Sequence, residues 1–224
     1  PSAATEPPDN KLGVGFLWTQ QSQPVAGKLS REDDFVDLIL GPGKLDVFDD
    51  VKPPVRVICL ARSLEKNKER PFPGVKETIE TLQNAKIPAK RVIIGYNPEH
   101  QPGTPSRELD EIVASVKQAR KMADDYGASL LVGPGLRDMQ GREDLYPELA
   151  KHCDIWLIQS QRLQLDLATR KPVSTAEYRN GVKQIVDSLR KGNPKIRVFV
   201  QIVTTAERGT TELTVDEVAS FAES

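Results

Sequence analysis

Residues 95–100, GYNPEH, set a phenol (Tyr96), an amide (Asn97), a carboxylate (Glu99) and an imidazole (His100) in one short stretch. A carboxylate beside an imidazole or a phenol is material for general acid–base catalysis, because the neighbour adjusts the carboxyl group's affinity for its proton. Glu99 is the first candidate for that role, with His100 or Tyr96 as its partner. Pro98 fixes its own φ and biases Asn97 away from helix, which stiffens the step. Asn-Pro and Pro-Gly also make turns, so the same residues admit a purely structural reading.

Hydrolysis of a glycosidic bond takes two carboxyl groups, about 5–5.5 Å apart with retention and about 6.5–9.5 Å with inversion. Asp138, in GLRDMQG, is the candidate for the second, with Glu207 in reserve. Glutamines supply the other signal. Gln159 and Gln161 alternate in LIQSQRLQ, so they share one face where a strand ends, and Arg162 follows them. Gln201 lies in VFVQIVTT, where an amide among β-branched residues needs a buried partner. Amides donate and accept at once and so match sugar hydroxyls, and Trp18 or Tyr96 offers a ring for a sugar face. The expected substrate contacts are therefore Trp18, Tyr96, Asn97, Gln159, Gln161, Arg162 and Gln201, with Glu99, Asp138 and His100 as the catalytic set. Inward amides can equally form a satisfied polar core. Trp156, mid-strand, reads as core.

Other chemistries lack their signatures. Neither G-x-G-x-x-G nor G-x-x-x-x-G-K-[ST] occurs, and no G-x-S-x-G elbow is present. His100 and His152 have no histidine partner at i+4, and Cys59 and Cys153 lack neighbours at ligand spacing and read as buried thiols. Glu99, His100 and Asp138 are in principle able to hold a divalent metal, but sequence does not show their geometry, and neither a metal nor a cofactor is expected.

The elements that must position these groups are legible as apolar runs. Strand-length runs at 12–20, 55–61, 91–96, 129–135, 154–160 and 196–204 are rich in β-branched residues and largely continuous, the pattern of strands buried on both faces of a parallel sheet. Helical periodicity lies between them. The segment 106–128 is the clearest case: Thr104 or Ser106 can cap it, Pro105 suits its first turn and Gly127 closes it. The segment 176–194 is a second, and 31–40, 74–85, 141–152 and 214–223 are weaker candidates. Strand–helix alternation with long polar loops after the strands predicts an α/β fold, a parallel (β/α) TIM-type barrel with its site at the strand ends. Six strands fall short of eight. Either the barrel is incomplete, or KLDVFDD (44–50) adds a strand, or further chain completes it.

At 224 residues, residues 12–224 suit a single barrel domain behind a flexible leader at 1–11, PSAATEPPDNK. That leader is the sole ground for expecting a secreted or cell-envelope protein. With 31 basic and 32 acidic side chains the charge is balanced at -1, so neither nucleic acid nor an anionic membrane is an expected partner. No apolar run is long enough for membrane insertion.

The segments IIGYNPEHQPGTPSREL, ARKMADDYGASLLVGPGL and CDIWLIQSQRLQ, within residues 90–205, resemble secreted (β/α)-barrel proteins of the glycoside-hydrolase-like type, whose activity is generally unassigned. The resemblance implies a barrel with its site at the strand ends and carries over no catalytic residue. The expected function is that of an exported enzyme acting on a carbohydrate or glycoconjugate through carboxylate chemistry. The alternatives are a non-catalytic barrel that binds a glycan or protein, and a structural or assembly protein.

Overall fold

Parallel pairing in strict chain order organises the molecule. The computed structural model describes residues 13–19, 21–40, 44–67, 72–100, 103–166, 168–169, 171–203, 205–206 and 211–223. The expected leader at 1–11 lies outside them. Seven strands form one sheet: β1 (Gly15–Leu17), β2 (Phe35–Ile39), β3 (Arg56–Ala61), β4 (Val92–Tyr96), β5 (Ser129–Val132), β6 (Ile155–Gln159) and β7 (Arg197–Gln201). Every neighbouring pair is parallel. The connections carry helices α1 (Gln23–Ala26), α2 (Val47–Asp50), α3 (Val75–Asn84), α4 (Ser106–Asp110), α5 (Ile112–Tyr126), α6 (Leu136–Met139), α7 (Tyr146–Ala150) and α8 (Thr175–Gly192), followed by α9 (Val215–Ala222). The sheet is curled, and among the described residues no strand pairing joins β7 to β1: the fold is an incomplete (β/α) barrel.

Strand alternation sorts the side chains into two layers. Val36, Leu38, Val57, Cys59, Val92, Ile94, Leu130, Val132, Trp156 and Ile158 face the helices and make the larger core with α3, α5 and α7. Both cysteines are buried, free thiols. On the other face Ile58, Ile93, Leu131 and Ile155 fill the lumen with Phe35, Leu60, Leu157 and Phe199. The Phe35 and Phe199 rings stack, 4.5 Å between centroids, although four strands separate β2 from β7 in the sheet order. Gly15 permits this, since the Phe35 ring occupies the space its side chain would fill.

Three expectations need correction. The segment 31–40 is the strand β2, not a helix: its buried positions alternate, with Val36 and Leu38 on the helix side. Residues 44–50 add no strand, because Asp46 caps the helix α2 by accepting from the Val47 N–H. The helix expected over 106–128 breaks at Glu111 into α4 and α5. Its N-terminus carries no side-chain cap, because Thr104 is used elsewhere. Gly127 ends α5 as expected, at φ 83°, donating to Ala123 and Asp124 carbonyls. The helix α8 begins with a capping box, Ser174 and Glu177, that extends it one residue earlier than the periodicity indicated.

Candidate functional site

The carboxyl ends of β4, β5 and β6 open into a cavity of about 450 Å³ lined by Glu99, His100, Gly135, Leu136, Arg137, Asp138, Gln159, Gln161 and Arg162. Six residues proposed from sequence, Glu99, His100, Asp138, Gln159, Gln161 and Arg162, thus meet in one cleft. Asn97 stands just behind them, buried, and links Glu99 to Gln159.

The links form a chain of hydrogen bonds. Gln159 Nε2 donates to Asn97 Oδ1 at 2.7 Å and to the Gly133 carbonyl at 2.8 Å. Asn97 Nδ2 donates to Glu99 Oε1 at 3.2 Å, and Arg62 Nη1 pairs with Glu99 Oε2. Both Glu99 oxygens are therefore held as acceptors. Thr104 fixes the loop: its hydroxyl accepts from the Glu99 N–H at 2.9 Å and donates to the Arg62 carbonyl. The vanished helix cap is explained here, since Thr104 braces Glu99.

Asp138 enters from α6. Its Oδ2 accepts from the His100 N–H at 3.2 Å. A methyl group on Gly135 would sit 2.7 Å from Asp138 Oδ2 and 3.7 Å from Glu99 Cγ. Those two atoms are at most the sum of these distances apart, within the reach of paired carboxyl groups, which stand about 5–9.5 Å from each other. Only a residue without a side chain lets the two acids flank position 135 this closely.

Three expected contacts lie elsewhere. Tyr96 is fully buried and points to the helix layer, where its hydroxyl donates to Glu108 Oε2 at 2.8 Å. Burial lifts the Tyr96 phenol well above its ordinary range, with the Glu108 charge adding to it, and burial also raises the Glu108 carboxyl group. Trp18 follows β1 on its helix-facing side and packs against the larger core. Gln201 is exposed at the end of β7 and is not part of the cavity lining; its carbonyl, not its side chain, accepts from Ser160. The buried amide of this region is Gln164, whose side chain bonds both the carbonyl and the N–H of Val203, at 3.1 and 3.0 Å. Glu207 lies outside the described residues.

Two residues were given no place in the expected site. Arg62 follows β3 directly, a position that marks it as a strand-end residue, yet only the fold shows that it meets Glu99. Asp37, mid-β2, was hidden inside a segment read as helix. Its carboxyl is raised to about 6 by burial, partly offset by its own backbone N–H, and its Oδ1 is buried without a hydrogen-bond partner. No group of three or more His, Cys, Asp or Glu among the described residues is placed to hold a metal ion. No described helix is long and apolar enough to cross a membrane.

No family model matches the chain, and no curated protein matches it in sequence. Solved structures resemble it in shape. The spore cortex-lytic enzyme SleL of Bacillus megaterium superposes with a TM-score of 0.51 at 10% identity, covering 88% of this chain and 52% of that one. The N-terminal domain of a proposed aldolase from Bacteroides vulgatus gives 0.49 at 10% identity, covering 95% and 79%. This chain thus spans about half of the SleL structure. At such identity the likeness concerns the fold, and it agrees with a barrel of the (β/α) type.

Proposed function

We propose that the mouth of this barrel binds a saccharide and hydrolyses a glycosidic bond, with Glu99 and Asp138 as the carboxylate pair. The observation that carries this reading is the convergence of both acids on Gly135, in one cleft with the amides of Gln159 and Gln161. Glu99, fixed by Arg62 and Asn97, is the immobile carboxylate that faces positive charge developing on the sugar ring. Asp138, tied only through the His100 backbone in the contacts above, is the proton-transferring partner. Gln161, Arg162 and Arg137 form the polar rim that a hydroxylated ligand meets first. The likeness in shape to a cortex-lytic enzyme is compatible with this reading and adds no residue to it.

The test is turnover of a glycan panel by the wild type and by Glu99→Gln and Asp138→Asn. Loss of about 10²–10⁴-fold in kcat for Asp138→Asn is expected. Unchanged turnover in both variants would end the assignment. A second reading, a barrel that binds glycans without cleaving them, is favoured by the double engagement of Glu99, which leaves neither oxygen idle. Calorimetric affinity for a glycan without product release would select it.

A further inference from the structure

We infer that Asp37 is the specificity-determining acceptor of this site, its unpartnered carboxylate oxygen taking a hydrogen bond from a hydroxyl group of a saccharide that reaches into the lumen from the mouth. The inference rests on the saccharide reading above and names the group that would read the ligand.

Its direction follows from alternation. Val36 and Leu38 on either side belong to the helix-facing core, and Phe35 belongs to the lumen, so Asp37 shares the lumen face with Phe35. Its height follows from packing. Phe35, Ile93, Ile155 and Phe199 meet in one lumen cluster. Two residues further along the same strands come Asp37, Gly95, Leu157 and Gln201. Two further again come Asn97 and Gln159, which bond to each other at the mouth. Asp37 therefore stands one level beneath the Asn97–Gln159 bond. The residue as a whole is partly accessible while Oδ1 is buried and unpaired. An acceptor left this way is destabilising, and a ligand donor removes the penalty.

Among the described residues of the neighbouring strands, no charged side chain pairs with Asp37. Its flanking strands offer Leu17 on β1 and Ile58 and Leu60 on β3, and β7 across the lumen offers Phe199 and Gln201. The charged lumen-side residues of these strands are Arg56 and Arg197 towards the floor, where Arg197 pairs with Asp33 at 2.6 Å. Arg62, past the end of β3, pairs with Glu99. Burial of the Asp37 carboxyl group makes it hold its proton more tightly. A hydroxyl donated to Asp37 favours the ionised form, so ligand binding below about pH 6 expels a proton.

The experiment is calorimetry of the full chain with cello-, xylo-, manno- and chito-hexaose at about pH 5 and about pH 7.5, in two buffers of different ionisation enthalpy. Expected for the wild type is proton release near pH 5, with affinity rising towards pH 7.5. Expected for Asp37→Asn is affinity weaker by about tenfold at pH 7.5, with the proton release near pH 5 that Asp37 supplies removed. Asp37→Asn removes a buried charge, so it should melt at a higher temperature than the wild type at pH 7.5, which separates lost binding from lost folding. Equal affinity of wild type and variant at both pH values would overturn the role of Asp37 and leave the saccharide reading standing. Absence of binding by the wild type to all four sugars would overturn the saccharide reading and this inference with it.

Discussion

The floor of the lumen and its mouth are built on the same strands from opposite kinds of residue. Ile58, Ile93, Leu131 and Ile155 on the floor are at most 2% exposed and touch one another and two stacked phenylalanines. At the mouth, four to six residues on, the same strands and the loop after β4 deliver Asn97, Glu99 and Gln159, joined by hydrogen bonds. Apolar contact is non-directional and sums over area, so the floor sets stability. Hydrogen bonds fix orientation and add little net stability each, so the mouth sets geometry. Asp37 stands at the boundary and follows neither rule: one of its carboxylate oxygens is buried as the floor is, while the residue is polar and partly accessible like the mouth.

The division is most exposed to test at the floor. Leu131→Ala should lower unfolding free energy by about 2–5 kcal/mol, through lost transfer energy and a cavity that rigid neighbours cannot close. Urea denaturation measures it. A loss under about 1 kcal/mol would mean that the lumen is open enough to relax, and that the two stacked rings do not seal it.

The boundary residue gives the next largest effect, and its sign depends on pH. The folded-state carboxyl of Asp37 is raised from 3.8 to about 6. Between those values the native protein binds more protons than the unfolded chain, so stability falls as pH rises through this window and stays reduced above it. The penalty near pH 7.5 is on the order of 3 kcal/mol, absent below about pH 4. Asp37→Asn should thus be more stable than the wild type at pH 7.5, with the advantage fading as the pH is lowered. Melting temperatures across pH 4 to 8 decide this, and a constant difference would show that Asp37 is solvated.

How much of this was legible in the sequence follows from the same division. Floor residues announce themselves as continuous β-branched runs, which is why β3, β4 and β6 were found within one residue and β7 with its start one residue and its end three residues off. The strand β2 was missed because DDFVDLIL puts Asp37 where a buried run should be apolar, and charge at that spacing reads as a helix face. A carboxyl group in the lumen broke the local rule and hid the element that carries it. At the mouth, residue type located Glu99, Asp138, Gln159 and Gln161, since their strand ends converge in any barrel. Facing direction was not legible for Tyr96 or Trp18. Tyr96 is the last residue of β4, and alternation along β4 assigns it to the helix side with Ile94, which only the strand's true register reveals. The Arg62–Glu99 pair spans two strand ends, and nothing local encodes it.

Tyr96→Phe probes that facing directly. It deletes the hydroxyl that donates to Glu108, which retains the Leu64 N–H at 2.9 Å on the same oxygen. The expected cost is about 1 kcal/mol in stability, with no change in ligand affinity. An affinity change greater than about threefold would return Tyr96 to the site.

The smallest effect is expected where the mouth is most exposed. Gln161 lines the cavity from the 3-10 turn Ser160–Arg162, and the turn is anchored by its neighbour Ser160, which is fully buried and bonded to Tyr178 and to the Gln201 carbonyl. Removing the amide leaves those anchors in place, so Gln161→Ala should shift unfolding free energy by less than about 0.5 kcal/mol. Ligand affinity should still fall several-fold, because an amide facing the cleft is one of the groups a sugar hydroxyl meets. Stability that drops by more than 1 kcal/mol would make Gln161 a brace of the turn. The mouth would then share the structural duty that the packing assigns to the floor.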